Sequence, residues 1–301
     1  MIDDMESKHY KVLILAMSCE DDFFKMSRYV THDTWAKSVI EGKNEGIGFL
    51  SYTSTEDDER IEDNTVYVKV PDLITDTYRK TIRCFEFLRE NGITFDYVLR
   101  TNTSVYFNIP ITIRDIINPV IENSIDLYSE WRGFINFRGE DYPEFHGSMF
   151  VMSSKLIYDI VDSDIDENSP DVVEYVTSNN KGTVGIDDIT ISAITYLLNE
   201  RNGYKYNIYI TKDRNMIRYK PVSKLYLNTC GNESIRKSMN EYAESCKVAY
   251  TDSPDVINFI PFIQYRILTP AFPIELRYID SNFRIIELEH AYELHEANIY
   301  K

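Results

Sequence analysis

The sequence predicts an α/β sandwich with a mixed central sheet. Two observations early in the chain carry this. Short, continuous, partly β-branched apolar runs read as strands buried on both faces of a sheet, and segments of helical periodicity separate them. A third lies further on, where short strands follow one another at less regular spacing. The 301 residues allow one large domain or two smaller ones, each able to bury a core.

The first buried-strand run is Lys11–Met17, which turns polar at Ser18-Cys19. Residues Asp33–Glu41 have helical potential, and a second strand run follows at Ile47–Tyr52. After the acidic loop Glu56–Glu59 comes a third run, Val66–Val70, stopped by Pro71. The best helix is Asp72–Asn91, where Ile74, Tyr78, Ile82, Phe85 and Leu88 recur at spacings of three and four and Gly92 supplies a stop. Phe95–Arg100 is another buried strand and runs directly into the polar triplet Asn102-Thr103-Ser104. Short strands are expected at Gly133–Phe137 and Ser148–Met152, and a helix over Ile189–Leu198. A composition break near Asn199–Gly203 opens a Tyr-rich, basic stretch. The expected organisation is a main domain over residues 1–225 and a C-terminal extension over 226–301 packed on it. No internal repeat or low-complexity linker occurs.

Composition narrows the function. With 32 Lys plus Arg against 49 Asp plus Glu, the formal net charge of −17 opposes a protein that coats nucleic acid through its overall field, although a local basic groove stays open. The four cysteines, Cys19, Cys84, Cys230 and Cys246, form no CxxC pair, so free thiols in a reducing compartment are expected rather than a zinc ribbon or disulfide scaffold. Neither a signal peptide nor a spanning run of ~20 apolar residues is present, which predicts a soluble, cytoplasmic protein. P-loop, GxGxxG, GxSxG and HExxH patterns are all missing, leaving nucleophilic hydrolases and dinucleotide enzymes without support.

Open α/β sheets bind ligands beyond the carboxyl ends of their strands. That rule nominates Ser18–Asp22, Arg100–Ser104, Glu140–Gly147 and the pair Asp187-Asp188. The acidic pair is the most chemically loaded, since it follows a Gly-Thr-Val-Gly stretch at the start of a helix; two carboxylates there also read as caps of the helix dipole. Trp35 reads as a core anchor. His146 suits an acceptor contact, a metal ligand or a satisfied surface residue, and Tyr142 and Phe145 suit either a sugar or base or plain packing.

Four blocks in order resemble the β-1,3-galactosyltransferase and fringe-like glycosyltransferases. The pattern R-x-x-I-R-x-T-W resembles Arg28-Tyr-Val-Thr31-His32-Asp-Thr34-Trp35. K-T-D-D-D-V-F-V-N aligns with Arg100-Thr101-Asn102-Thr103-Ser104-Val105-Tyr106-Phe107-Asn108. A Tyr-Pro followed by a Gly-rich turn and an aromatic strand is similar to Tyr142-Pro143 through His146-Gly147 to Phe150 and Ser153, and an acidic pair with a hydrophobic and then a small residue is similar to Asp187-Asp188-Ile189 and Ser192. The blocks span roughly residues 10 to 200. The resemblance implies a GT-A-like, Rossmann-type α/β/α sandwich with a mixed central sheet and a C-terminal extension. It also implies an inverting transfer of sugar from a nucleotide diphosphate donor, with Asp188 as catalytic base and Asp187 beside it. By the same resemblance Ser18, Arg28, Arg100, Asn102 and Ser104 fall at the donor; Arg214, Arg218 and Lys220, beyond the blocks, are expected there as basic residues, and Tyr142, Phe145 and His146 are the candidates for the acceptor. His32, in place of an Arg of the pattern, falls near the nucleotide.

The chain departs from the family at D-x-D, whose carboxylates hold a divalent cation. Asn102 and Ser104 stand there instead, and neutral oxygens are poor anchors for a hard cation. Three readings remain open: no metal, with Arg and Lys steadying the diphosphate; Mn or Mg held weakly through Asn102, Ser104 or other oxygens; or lost activity. Between Arg201 and Lys224 stand seven basic residues and one acid, Asp213. They could clamp a leaving phosphate or pair with the acidic surface. Golgi members of the family carry a membrane anchor, whereas a bacterial or viral setting suits this sequence. The expected acceptors are a glycolipid or polysaccharide precursor, or a hydroxylated base in viral DNA. A catalytically silent glycan- or protein-binding module is the competing class.

Overall fold

Apolar runs of the kind in Lys11–Met17 have no polar side and are stable only when both faces are covered. The computed structural model describes residues 8–20, 22–33, 35–103, 106–107, 109–178, 183–211 and 218–219; the expected extension over 226–301 lies outside them. In chain order the elements are β1 (Lys8–Met17), α1 (Asp22–Asp33), α2 (Lys37–Ile40), β2 (Ile47–Ser54), β3 (Arg60–Glu62), β4 (Thr65–Val68) and α3 (Thr77–Glu90). There follow β5 (Ile93–Asn102), β6 (Tyr106–Phe107), α4 (Ile109–Thr112), α5 (Asn118–Glu122), β7 (Leu127–Phe137) and β8 (Glu140–Ser153). The last are α6 (Ser154–Val161), α7 (Pro170–Thr177), α8 (Asp187–Arg201), β9 (Ile208–Thr211) and β10 (Arg218–Tyr219).

The chain divides into two units. The first holds Met1–Met17, Asn44–Thr101 and Ile117–Asp213 and contains an eight-stranded sheet in the order β3-β4-β2-β1-β5-β8-β7-β9. β2 is parallel to β1 and to β4, β9 is parallel to β7, and β8 runs antiparallel to both β5 and β7. This mixed, open sheet is the GT-A-like, Rossmann-type arrangement expected. Leu13 and Leu15 of β1 join the core formed with α3, α6, α7 and α8, while Val12, Ile14 and Ala16 on the opposite side are buried as well. α8 packs on β8, with α3, α6 and α7 against it. It is buried on every side from Asp187 to Asn199, which explains why its sequence shows no amphipathic stripe. Its polar residues are used internally: Thr190 Oγ1 accepts the Gly185 amide at 3.2 Å, and the Ser192 and Tyr175 hydroxyls lie 3.4 Å apart.

Differences from the sequence reading are local. The helix expected over Asp33–Glu41 is a single turn, α2, preceded by α1, because Trp35 and Ala36 are buried in the turn between them and the Ala36 amide closes on the Thr31 carbonyl at 3.1 Å. The first turn of the helix expected over Asp72–Asn91 is a tighter one at Ile74–Asp76. The segment Glu140–Gly147, expected as a ligand loop, is part of β8, hairpinned to β7 through Arg138-Gly139 with Phe137 facing Glu140. Pro143 and Gly147 interrupt the alternation that would have revealed so long a strand.

In the second unit, within Ser18–Lys43 and Asn102–Ile116, Trp35 packs edge-on against Phe107 at 5.2 Å and the Thr31 hydroxyl donates to the Thr103 carbonyl at 3.3 Å. β10 pairs antiparallel with β6, Arg218 opposite Phe107. No helix among the described residues is long and apolar enough to cross a membrane.

Candidate active site

The site in the first unit is organised by a bulge. On β7 the ladder steps from Ser129 to Trp131, while its partner on β8 moves from Phe150 to Phe145. The extra residues around Gly147 leave the ladder, as bulges do where a strand must be re-aimed. The Gly147 carbonyl accepts from Arg100 Nη1 at 2.5 Å. A Cβ built on Gly147 would overlap the Asp188 carboxylate, so a side chain at this position and Asp188 compete for one space.

Arg100 reaches this point from β5, where it lies opposite Phe150 in the ladder. It is only 1% exposed, and each of its nitrogens has a partner. Nε donates to the Tyr52 hydroxyl at 3.3 Å, Nη1 to Gly147, and Nη2 forms an ion pair with Asp187 and lies 3.4 Å from Met17 Sδ. The guanidinium also stands 5.3 Å from the Phe150 ring centroid. The Tyr52 hydroxyl bonds Thr81 Oγ1 at 2.8 Å, and Thr81 donates to the Thr77 carbonyl at 2.9 Å with Asp187 Oδ2 at 3.5 Å. Burial works against the Arg100 charge, but Asp187 and Tyr52 outweigh it and hold its pKa above the ordinary value. Burial lifts Asp187 above the usual carboxylate range, Arg100 opposes this, and the Asp188 charge adds to it.

The turn before α8 fixes where the two carboxylates begin. Gly185 has φ +91°, in the left-handed region, and a Cβ there would overlap the Thr75 carbonyl. Its own carbonyl accepts the Tyr78 amide at 2.8 Å and the Thr77 hydroxyl at 3.3 Å, and Thr77 Oγ1 accepts the Asp187 amide at 3.1 Å. The N-cap is Ile186, without a side-chain cap. The pair therefore occupies the first helical turn, where the helix dipole favours negative charge. Asp188 Oδ1 accepts the Ile189 amide at 2.9 Å, and the residue is 7% exposed.

The other expected site residues are placed as follows. Ser18 is buried, its hydroxyl donating to the Phe24 carbonyl at 3.2 Å. Arg28 is buried and bonds Glu20 Oε1 at 2.8 Å. Burial, then the Arg28 charge, lowers His32 to about 4. Asn102 ends β5, half-buried. Tyr142 joins an aromatic cluster with Phe137, Tyr175 and Tyr196, its hydroxyl bonded to Glu200. Phe145 is fully buried between Phe150 and Tyr196. His146 lies on β8 next to Gly147. In the basic stretch, Arg201 pairs with Asp164 and Lys205 with Asp159, taking up the surface-pairing alternative; Arg218 is in β10. Ser104, Arg214 and Lys220 lie outside the described residues.

Three of the four motif blocks thus meet in the first unit, at Arg100, Gly147 and Asp187-Asp188. No protein-family model matches the chain, and no curated protein does. Many solved structures are similar, among them two at low identity. One is a glycosyltransferase involved in the glycosylation of the major capsid of PBCV-1, at 10% identity over 78% of this chain and 98% of that one, with a TM-score of 0.41. The other is the inositol-1-phosphate CTP transferase from T. maritima, at 11% identity over 67% and 84%, with a TM-score of 0.32.

At the D-x-D position Asn102 offers a neutral amide oxygen, a poor anchor for a hard cation, and no group of three or more His, Cys, Asp or Glu among the described residues is arranged to hold one. Sequence reasoning missed Tyr52, Thr77, Thr81 and Gly185. Gly185 carries a signal, as a glycine just before an expected helix; Tyr52 is only the end of an expected strand, with no local pattern to mark it.

Proposed function

We propose that the chain is an inverting glycosyltransferase that takes its sugar from a nucleotide diphosphate donor, with Asp188 as general base. The observation that supports this most is the separation of roles in the acidic pair. Asp187 is held by Arg100, and Asp188 lies against the bare α-carbon of Gly147 at the carboxyl end of the sheet's central strands. In this reading Asp188 takes the proton of an acceptor hydroxyl as that oxygen bonds the anomeric carbon, and the bond from that carbon to the diphosphate breaks on the opposite face. Ordered hydrogen-bond donors and cations must then meet the charge growing on the leaving group. In this reading Asn102, Ser104, Arg214, Arg218 and Lys220, the donor residues expected from the sequence, supply them, with no step routed through a metal. The acceptor hydroxyl approaches along β8, beside His146. A glycolipid or polysaccharide precursor fits the acidic protein better than DNA.

Ligand-detected NMR with a panel of nucleotide diphosphate sugars, with chelator and with manganese, tests the donor side. One donor bound equally in both conditions is expected; no binding in either overturns the reading. The neutral replacements at Asn102 and Ser104 favour a second reading, a silent glycan- or protein-binding module of the same fold, and turnover of the bound donor separates the two.

A further inference from the structure

We infer that Arg100 is a positioning residue that sets the place of Asp188, and not a ligand of the donor phosphates. The idea rests on the reading of Asp188 as the base. One buried guanidinium bridges two elements: it bonds the Gly147 carbonyl on the β8 bulge and the Asp187 carboxylate in the first turn of α8. Across that same gap the α-carbon of Gly147 faces the Asp188 carboxylate. Arg100 therefore ties the surface on which Asp188 rests to the helix turn from which Asp188 projects. A third tie runs through Tyr52 and Thr81, which join Arg100 to α3 and to Asp187. With each nitrogen engaged and 1% of the residue exposed, Arg100 has no face left for a phosphate. A Lys, as in the family pattern, supplies a point charge but not the planar fork that bridges two acceptors.

The test reads the position of Asp188 without needing substrate. The full chain is labelled on its 11 glycines, and the Gly147 NMR signal is assigned by its absence in Gly147→Ala. Asp188→Asn should shift that signal in the wild-type background. The shift should shrink in Arg100→Lys and vanish in Arg100→Met/Asp187→Leu, a pair that removes both buried charges together and so preserves folding better than either single change. A full-sized shift in the double variant, or none in the wild type, overturns the proposal. In a second arm, Arg100→Lys should lower turnover at saturating donor on the order of 10²-fold while donor affinity stays within about twofold. The reverse pattern overturns the proposal and returns Arg100 to the donor phosphates. A wild-type chain that transfers no sugar overturns the glycosyltransferase reading, and the NMR arm then decides the position of Asp188 by itself.

Discussion

Gly147 lies so close to Asp188 that a methyl group on its α-carbon would overlap the carboxylate. The contact joins a bulge in β8 to the first turn of α8, two places 41 positions apart in sequence, and it depends on the absence of a side chain.

Gly147→Ala should therefore displace Asp188. Overpacking of this kind costs about 1–3 kcal/mol, and a displaced base loses on the order of 10²-fold in turnover. Urea unfolding and a transfer assay, with donor affinity as the control, check this; a variant as active as the wild type would show that the contact does not place the base.

Gly185→Ala should act on stability first. It forces a left-handed backbone onto alanine and drives its Cβ into the Thr75 carbonyl, a loss of about 2 kcal/mol or more. Chemical denaturation measures it, and a neutral result would mean that the turn before α8 rearranges freely.

His32 should give the fold an acid limb. Burial and Arg28 lower its pKa from 6.5 to about 4, so the folded state binds fewer protons than the unfolded chain between these values. Its contribution is complete above pH 6.5 and is lost as pH falls through about 4. Between pH 7.5 and 4.5, wild type should lose about 1–3 kcal/mol more stability than His32→Gln. Parallel losses in the two proteins would remove His32 from the acid response.

Much of this architecture is legible in the sequence. β1, β2, β5 and the body of α3 announce themselves because each buries a contiguous or periodic apolar set. The acidic pair stands out through its glycine-flanked position before a helix. The long hairpin of β7 and β8 does not, since its bulge and Pro143 break the alternation by which strands are recognised. Nor does the Arg100 network: Tyr52, Gly147 and Asp187 approach Arg100 only through the sheet order and the packing of α8, and no local pattern encodes that.

The reading in which Arg and Lys replace the cation has its own consequence. Adding chelator should leave donor binding by the wild type unchanged, whereas Asn102→Asp/Ser104→Asp, which restores two carboxylates, should make binding rise with manganese. Calorimetric titration in both conditions reads this. Loss of wild-type binding in chelator would show that oxygens other than carboxylates hold a required ion.

The most direct test of the account is sugar transfer by Asp188→Asn beside the wild type, using the donor selected from the panel. The account predicts unchanged donor affinity with turnover lower by about 10²–10⁴-fold. Turnover equal to that of the wild type would contradict it and remove Asp188 from the chemistry.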